Sequence, residues 1–225
     1  MTYNDKEERK YHRFYDKHGF RIAEREPTNE DLRKLVESFP YTPSYKRCVI
    51  MRGLSGCGKT SYVNEQLRED EDYYRYCSAD KYFINNETGE YEFNPRDLSK
   101  AHEQCMSDFI EAVFNPDVYV VVVDNTNSQH WEFRNYWELA MLCGYEVDII
   151  HVKLDVKPIG YRDLKLLSMR NTHGVPFEVI KQMSERWQDI DGERIVQTEL
   201  TSEDEDLLTK IKDEESRIMH MEEME

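Results

Sequence analysis

Residues 53–60 read Gly-Leu-Ser-Gly-Cys-Gly-Lys-Thr, and this stretch decides how the whole chain is interpreted. It matches the pattern G-x-x-x-x-G-K-[ST] of a phosphate-binding loop without a mismatch. Glycines let backbone N–H groups approach phosphate oxygens, and a helix that begins here directs its positive end at the same anion. The predicted ATP-binding residues are therefore Gly53, Leu54, Ser55, Gly56, Cys57, Gly58, Lys59 and Thr60.

Two side chains of this loop carry predicted chemistry. Lys59 should reach the β- and γ-phosphates and take part in catalysis, and the Thr60 hydroxyl should bind Mg²⁺. The alternative is an ordinary glycine-rich turn. It is disfavoured because a strand-like apolar segment precedes the loop and a helix-like segment follows it. Cys57 is interpreted as a small residue that fills a loop position.

Strand-like and helix-like segments alternate along the chain. The predicted strands are 46–53, 73–79, 118–123 and 146–154, and the predicted helices are 59–68, 96–114 and 130–143. The segment 118–123 is apolar on both faces, which is typical of a parallel strand covered by helices. The sequence therefore predicts an α/β fold with a parallel sheet between layers of helices.

The chain divides into three predicted parts. Residues 1–45 form a partly helical extension of mixed charge, with one predicted helix from about 28 to 39, and residues 46–198 form the α/β domain. Residues 199–225 form an acidic tail with eleven acidic and three basic residues. Its net charge of −8 is half of the formal net charge of −16. We expect this tail to be helical or disordered, and a solvated end is favoured.

Composition narrows the class of protein. Mean hydropathy is −0.84, and 34% of the residues are charged. There is no run of about 18 apolar residues and no apolar segment at the N-terminus, so we expect neither a membrane span nor a signal peptide. The five cysteines include no C-x-x-C pair, which favours reduced thiols and a cytoplasmic or nuclear location.

Two aspartates are predicted at the carboxyl ends of strands, where ligands bind in open α/β sheets. Asp124 follows the apolar strand 118–123, and we assign it to Mg²⁺. Asp80 closes the segment 73–79, and we assign it as the base that accepts the proton of an acceptor hydroxyl. A helix-cap or turn role is the alternative for each, and the two catalytic roles could be exchanged.

Nearby polar and basic residues complete the predicted site. Asn125 and Asn127 could hold substrate or cap the next helix. Residues 158–176 form a candidate lid whose basic residues are Arg162, Lys165 and Arg170. Arg170 is predicted to offset negative charge on the γ-phosphoryl group, and Arg162 is predicted to contact substrate. A solvated basic face is the alternative for these residues, and His173 is predicted to serve a turn.

Several segments occur together in an order that resembles one known family. They are the loop 53–60, Cys77-Ser78-Ala79-Asp80-Lys81-Tyr82-Phe83, Gly89-Glu90-Tyr91-Glu92-Phe93, Val123-Asp124-Asn125-Thr126-Asn127, Gly144-Tyr145-Glu146-Val147 and Arg170-Asn171-Thr172-His173-Gly174-Val175-Pro176. Over residues 46–188 the chain resembles the P-loop kinase module of the Nedd-four-binding protein two family and its short relatives. It resembles phage-type polynucleotide 5′-kinases more distantly.

The resemblance implies an ATP-dependent kinase with a three-layer fold, a helical lid and the sheet order 2-3-1-4-5. It implies that Asp80 activates the acceptor and that Arg170 is the lid arginine six residues before Pro176. It also implies that the acceptor is the 5′-hydroxyl end of DNA or RNA. The chain departs from the family at Leu166, where such kinases often carry a basic residue, and Arg162 or Lys165 would have to replace it.

Two other functions stay open. The acidic body favours a small-metabolite kinase on the same fold, since an oligonucleotide acceptor needs several basic contacts. A non-catalytic ATP-binding module is the second, in which the N-terminal extension or the tail recruits protein partners. Residues 203–221 carry the apolar side chains that such a partner helix needs, namely Leu207, Leu208, Ile211 and Ile218.

Overall fold

The computed structural model describes residues 46–67, 73–155 and 159–222. The strands and helices are β1 Lys46–Arg52, α1 Lys59–Gln66, β2 Tyr74–Cys77, α2 Leu98–Phe114, β3 Val120–Asp124, α3 His130–Leu142, β4 Tyr145–Leu154, α4 Tyr161–Arg170, α5 Phe177–Glu185, β5 Arg194–Thr198 and α6 Ser202–Glu222. Two 3₁₀ helices, Ala79–Phe83 and Pro95–Asp97, lie between β2 and α2. The predicted extension 1–45 and its helix lie outside the described residues.

The five strands form one parallel sheet in the order β2-β3-β1-β4-β5, which confirms the predicted order. All five residues of β3 are buried, as expected for a strand covered on both faces. The strand β1 lies in the middle of the sheet, with β3 and β2 on one side and β4 and β5 on the other. The switch point of the sheet therefore lies at the carboxyl end of β1, where the phosphate-binding pattern begins.

Helices cover both faces of this sheet and complete three layers. On one face, α2 and α3 bury an apolar cluster that includes Phe109 and Phe133. On the other face, α1, α4, α5 and α6 bury a second cluster that includes Leu167, Ile180 and Ile211. No helix within the described parts of the chain is long and apolar enough to span a membrane.

The C-terminal part differs from the prediction. The strand β5 was not predicted, because its short edge sequence is largely exposed and has no apolar run. The first half of α6 is not a solvated end, since α6 packs on α4 and Ile211 is 2% exposed within the core. Leu207 and Leu208 lie on the same face at helical spacing and pack against this core. A helix is one of the two states predicted for residues 199–225, and its first half packs on the α/β domain.

Candidate functional site

The loop between β1 and α1 has the backbone that its sequence pattern requires. Gly56 has a φ of +81°, and a Cβ atom there would lie 2.2 Å from the carbonyl oxygen of Leu167 in α4. At Gly53 a Cβ atom would lie 2.5 Å from the carbonyl oxygen of Val152 in β4. Only glycine fits such positions. The loop is therefore held directly against β4 and α4.

The loop presents backbone rather than side chains to an anion. Gly58 caps α1 without a side-chain hydrogen bond, so the first N–H groups of this helix are suited to an anion. Leu54 and Cys57 are buried, and their predicted contribution to ATP binding is limited to their backbone. Burial raises the pKa of the Cys57 thiol despite the opposing positive charges of Lys59 and Arg170. This thiol is therefore an unreactive filler, as predicted.

The ammonium of Lys59 is held against the loop. Its Nζ atom donates hydrogen bonds to the carbonyl oxygens of Gly53, at 2.9 Å, and Leu54, at 3.3 Å. An ammonium has three donors, so one donor is left for a phosphate oxygen. The predicted contact of Lys59 with the β- and γ-phosphates would use this donor.

The structure brings Thr60 and Asp124 together. Thr60 Oγ1 donates to Asp124 Oδ2 at 2.8 Å, and the Tyr76 hydroxyl donates to the same oxygen at 2.8 Å. Asp124 is 3% exposed, and its Oδ1 atom is buried without a hydrogen-bond partner. Burial, and then the charge of Asp124, raise the pKa of Tyr76, so this phenol stays a neutral donor. Tyr76 was not predicted as a site residue, although it follows Tyr74 at strand spacing.

These oxygens fit a magnesium ion. A buried carboxylate oxygen without a partner is costly, and a cation satisfies it. Within residues 46–67, 73–155 and 159–222, no group of three or more His, Cys, Asp or Glu side chains could hold a metal ion alone. Mg²⁺ is the cation that takes one or two protein oxygens and completes its octahedron with phosphates and water. Thr60 and Asp124 offer such a partial set.

Asp80 lies in the 3₁₀ helix Ala79–Phe83, three residues beyond β2, which corrects its predicted position at a strand end. Ser78 causes the difference, because its Oγ atom accepts from the Asp80 N–H at 3.3 Å and caps the 3₁₀ helix. The Asp80 carboxylate is half-exposed. Its Oδ1 atom accepts from the Tyr91 hydroxyl at 2.9 Å, and its Oδ2 atom lies 3.7 Å from His173 Nε2.

Tyr91 and His173 were not predicted as site residues. An antiparallel bridge between Ile84 and Tyr91 returns the chain to Asp80, and the Tyr91 ring lies 4.3 Å from the ring of His173. Burial, and then the charge of Asp80, raise the pKa of Tyr91, so its hydroxyl donates to the carboxylate. His173 thus brings the turn after α4 to Asp80. The sequence feature that could have indicated Tyr91 as a site residue was the segment 89–93, which carries two aromatic residues.

The two asparagines after β3, which were predicted to hold substrate or to cap the next helix, form hydrogen bonds that join parts of the fold. Asn127 is 3% exposed, has a φ of +47° and donates its amide to a carbonyl oxygen of β1 at 2.8 Å. The Asn125 amide oxygen accepts from the Ala79 N–H at 3.0 Å. This contact ties the segment that carries Asp80 to the segment that carries Asp124.

Arg170 ends α4, and its surroundings were only partly predicted. Its Nε atom forms an ion pair with Asp204 Oδ1 of α6 at 3.4 Å. Its Nη1 atom is buried and has no hydrogen-bond partner. The sequence indicated the arginine but not the acid, because Asp204 lies in the segment interpreted as a solvated tail.

The other basic residues of α4 do not reach the loop. Arg162 is half-exposed and pairs with Glu215 of α6 at 2.7 Å, about 12 Å along the helix from Arg170. This position gives no support to its predicted contact with substrate. Lys165 lies over an aromatic ring of α5 at 5.7 Å. Leu166 is fully buried, which explains why this position carries no basic residue.

The sheet order, the glycine loop and the Thr60–Asp124 pair define a P-loop nucleotide-binding protein of the kinase type. The AAA domain family (AAA_33) matches residues 48–189, and the chain belongs to this family.

Known proteins are similar to this chain over limited ranges. Human NEDD4-binding protein 2 (Homo sapiens) is 36% identical over 142 residues, which are 62% of this chain and 8% of that protein. The chain thus spans a small part of the length of this relative.

Two solved structures are similar to this chain at low identity. Chaetomium thermophilum Kti12 in complex with ADP-AlF3 has 12% identity and a TM-score of 0.44, covering 74% of this chain and 97% of that one. A gluconokinase from Sinorhizobium meliloti 1021 has 14% identity and a TM-score of 0.43, covering 73% and 89%. Likenesses this distant carry no argument about substrate.

Proposed function

We propose that this protein is an ATP-dependent kinase that transfers the γ-phosphoryl group of ATP to the 5′-hydroxyl end of a polynucleotide. The observation that carries the proposal is the contrast between two acids whose segments are joined by Asn125. Asp124 is buried beside Thr60, while Asp80 is half-exposed beside Tyr91. The first environment suits a metal ligand, and the second suits a base that meets an acceptor from solvent.

The residues divide the reaction among them. The loop N–H groups and Lys59 bind the phosphates, and Mg²⁺ held by Thr60 and Asp124 supplies charge neutralisation at the β- and γ-phosphates. Asp80 accepts the proton of the acceptor hydroxyl as the hydroxyl oxygen forms its bond to the γ-phosphorus. The bond from this phosphorus to the bridging oxygen breaks, and its electron pair leaves with ADP. Arg170 stabilises the charge on the transferring group.

Aromatic rings beside Asp80 support a polynucleotide acceptor. Tyr82 and Phe93 are 41% and 50% exposed, and the Phe93 ring lies parallel to the Tyr91 ring at 6.5 Å. Exposed aromatic faces are the usual platform for unpaired bases, because every base has a π-face. A terminal nucleotide stacked here would bring its 5′-hydroxyl toward Asp80.

The cysteines support a cytoplasmic or nuclear location for this activity. All five, Cys48, Cys57, Cys77, Cys105 and Cys143, are free thiols. Free and largely buried thiols suit a reducing compartment.

The test is transfer of label from γ-labelled ATP to 5′-hydroxyl DNA and RNA oligonucleotides, with and without EDTA. Asp80→Asn should lower the transfer rate about 10³-fold, because it removes the base, and should change the affinity for ATP by less than about twofold. Asp117→Asn is the matched control. Asp117 is exposed and precedes β3, so it lies at the amino ends of the strands, away from the site at their carboxyl ends. Absence of label on every oligonucleotide would overturn the polynucleotide proposal.

A small-metabolite kinase is the second candidate, and the net charge of −16 favours it. A panel of hydroxylated metabolites in the same assay separates the two. Label on a metabolite but not on an oligonucleotide would favour this candidate. ATP binding without transfer to any acceptor would instead indicate a non-catalytic module.

A further inference from the structure

We infer that Asp204 of α6 is a positioning residue, which orients the lid arginine Arg170 toward the phosphates at the loop. The inference rests on the proposed function, because it assigns Arg170 to the transferring phosphoryl group. It adds a contribution from the acidic C-terminal segment, which lies outside the residues 48–189 that match the family.

The two edges of the Arg170 guanidinium have different surroundings. Nε faces Asp204 Oδ1 at 3.4 Å, whereas Nη1 is buried and has no hydrogen-bond partner. A guanidinium is planar and rigid, so an acid that holds one edge also fixes the direction of the other donors. A buried donor without a partner is costly unless a ligand satisfies it.

The free donors of Arg170 lie at the C-terminal end of α4, and α4 already contacts the loop. The backbone of Leu167 lies so close to Gly56 that a Cβ atom on Gly56 would lie 2.2 Å from the Leu167 carbonyl oxygen. Arg170 is three residues further along α4, on the turn that follows this contact. The charge of Arg170 also acts on the Cys57 thiol of the loop, so the free donors lie beside the place where the loop would hold a phosphate.

Asp204 is itself fixed, as a positioning group must be. It is 3% exposed, and its Oδ2 atom accepts from the Thr201 N–H at 2.8 Å and from Thr201 Oγ1 at 2.9 Å. In return, the Asp204 N–H donates to Thr201 Oγ1 at 3.2 Å, which forms a capping box at the start of α6. Ile211 anchors the same helix in the core. Oδ1 is the oxygen that remains for Arg170.

Two simpler roles compete with positioning. Asp204 could serve the helix cap alone, and its approach to Arg170 would then have no functional effect. It could also hold Arg170 away from the nucleotide, so that its removal would raise activity. The substitution Asp204→Asn separates these cases. It keeps an oxygen for the cap and puts an amide donor, which cannot pair with Arg170, in the place of Oδ1.

The experiment measures the affinity of the full chain for Mg²⁺–ADP alone and for Mg²⁺–ADP with aluminium fluoride, which mimics the transferring group. Asp204→Asn should weaken binding of the fluoride complex about tenfold, because Arg170 loses its direction, and should change ADP binding by less than about twofold. The thermal midpoint should stay within about 3 °C of the wild type, since the cap is retained.

Glu215→Gln is the matched control. It removes the same charge from α6 and breaks the other ion pair with α4, that between Glu215 and Arg162. It should leave both affinities unchanged. Asp204→Asn introduced into an Arg170→Lys background should cause no further loss for the fluoride complex, because both changes remove one interaction.

The outcomes are distinct. If Asp204→Asn keeps the wild-type preference for the fluoride complex, the inference is overturned and Asp204 serves the helix cap alone. If the preference becomes stronger, the inference is overturned because Asp204 holds Arg170 away from the nucleotide. A wild type that binds both complexes equally would also overturn it. If the wild type labels no acceptor but Asp204→Asn still weakens the fluoride complex about tenfold, the proposed function fails and the positioning role stands.

Discussion

Arg52 and Arg170 each end a structural element beside the loop, but their guanidinium groups have opposite surroundings. Arg52 is fully buried and saturated: it donates to the carbonyl oxygens of Asn127 at 2.9 Å and Gln188 at 2.6 Å, and it pairs with Glu193. Arg170 has one acid partner and a buried Nη1 atom with none.

The difference separates an arginine that holds the fold from one that is prepared for a ligand. The Arg52 side chain joins the end of β1 to the segment before α3 and to the segment between α5 and β5, and it lies over the Trp187 ring at 4.6 Å. Each of its three nitrogen atoms donates a hydrogen bond within the protein. Arg170 leaves donors unused, which the protein tolerates where a substrate completes the set.

Between these two arginines, the larger loss of activity should follow from Arg170→Lys. Lysine keeps the charge but loses the planar donors, so the rate of label transfer should fall about 100-fold. The free energy of unfolding in urea should change by less than about 1 kcal/mol. Arg162→Lys, the same change on the same helix, is the control and should keep the wild-type rate. Equal rates for both variants would contradict the functional role of Arg170.

Arg52→Lys should show the opposite pattern. It replaces a guanidinium whose nitrogens are all hydrogen-bonded by an ammonium that cannot reach all the same partners. The free energy of unfolding in urea should therefore fall by about 2–3 kcal/mol. Transfer by the folded fraction at low temperature should stay within about twofold of the wild type. If Arg52→Lys is as stable as the wild type, the stability of the fold does not depend on the planar guanidinium of Arg52.

The smallest effect concerns pH and the acid that pairs with Arg52. Burial alone would raise the pKa of Glu193, but the hydrogen bond with His151 and the charge of Arg52 outweigh it and lower this pKa. A lowered folded pKa stabilises the protein above the unfolded value of about 4.3, and this stability is lost as pH falls through the folded pKa.

The unfolding free energy should therefore decrease as pH falls from about 5 to about 3, and Glu193→Gln should make this decrease less steep. Glu138→Gln, at an exposed ion pair on α3, is the control. If Glu193→Gln and the wild type have equal slopes over this range, the Arg52–Glu193 pair does not contribute to the acid dependence of stability.

The sequence predicted the sheet because its central strands have strong local signals. The apolar segment 118–123 and the glycine pattern at 53–60 both fix their own structure, and the structure confirms the sheet order that the family resemblance implied. It also brings Thr60 and Asp124 together, since Asp124 ends β3 and Thr60 begins the helix after β1, at the carboxyl ends of two neighbouring strands.

The sequence did not reveal contacts between distant segments. Tyr91 reaches Asp80 through an antiparallel bridge, and Asp204 reaches Arg170 through the packing of α6 on α4. Neither contact leaves a periodic pattern. The role of the asparagines after β3 was left open for a related reason: a polar residue near a strand end looks the same whether its amide bonds to the backbone or to a ligand.

The packing of α6 has a consequence for where the chain can be shortened. The family match ends at residue 189, so β5, Thr201 and Asp204 lie beyond it. The matched part carries the loop, Asp80, Asp124 and Arg170. A chain cut back to the matched residues would keep all of these but would lose the acid that pairs with Arg170.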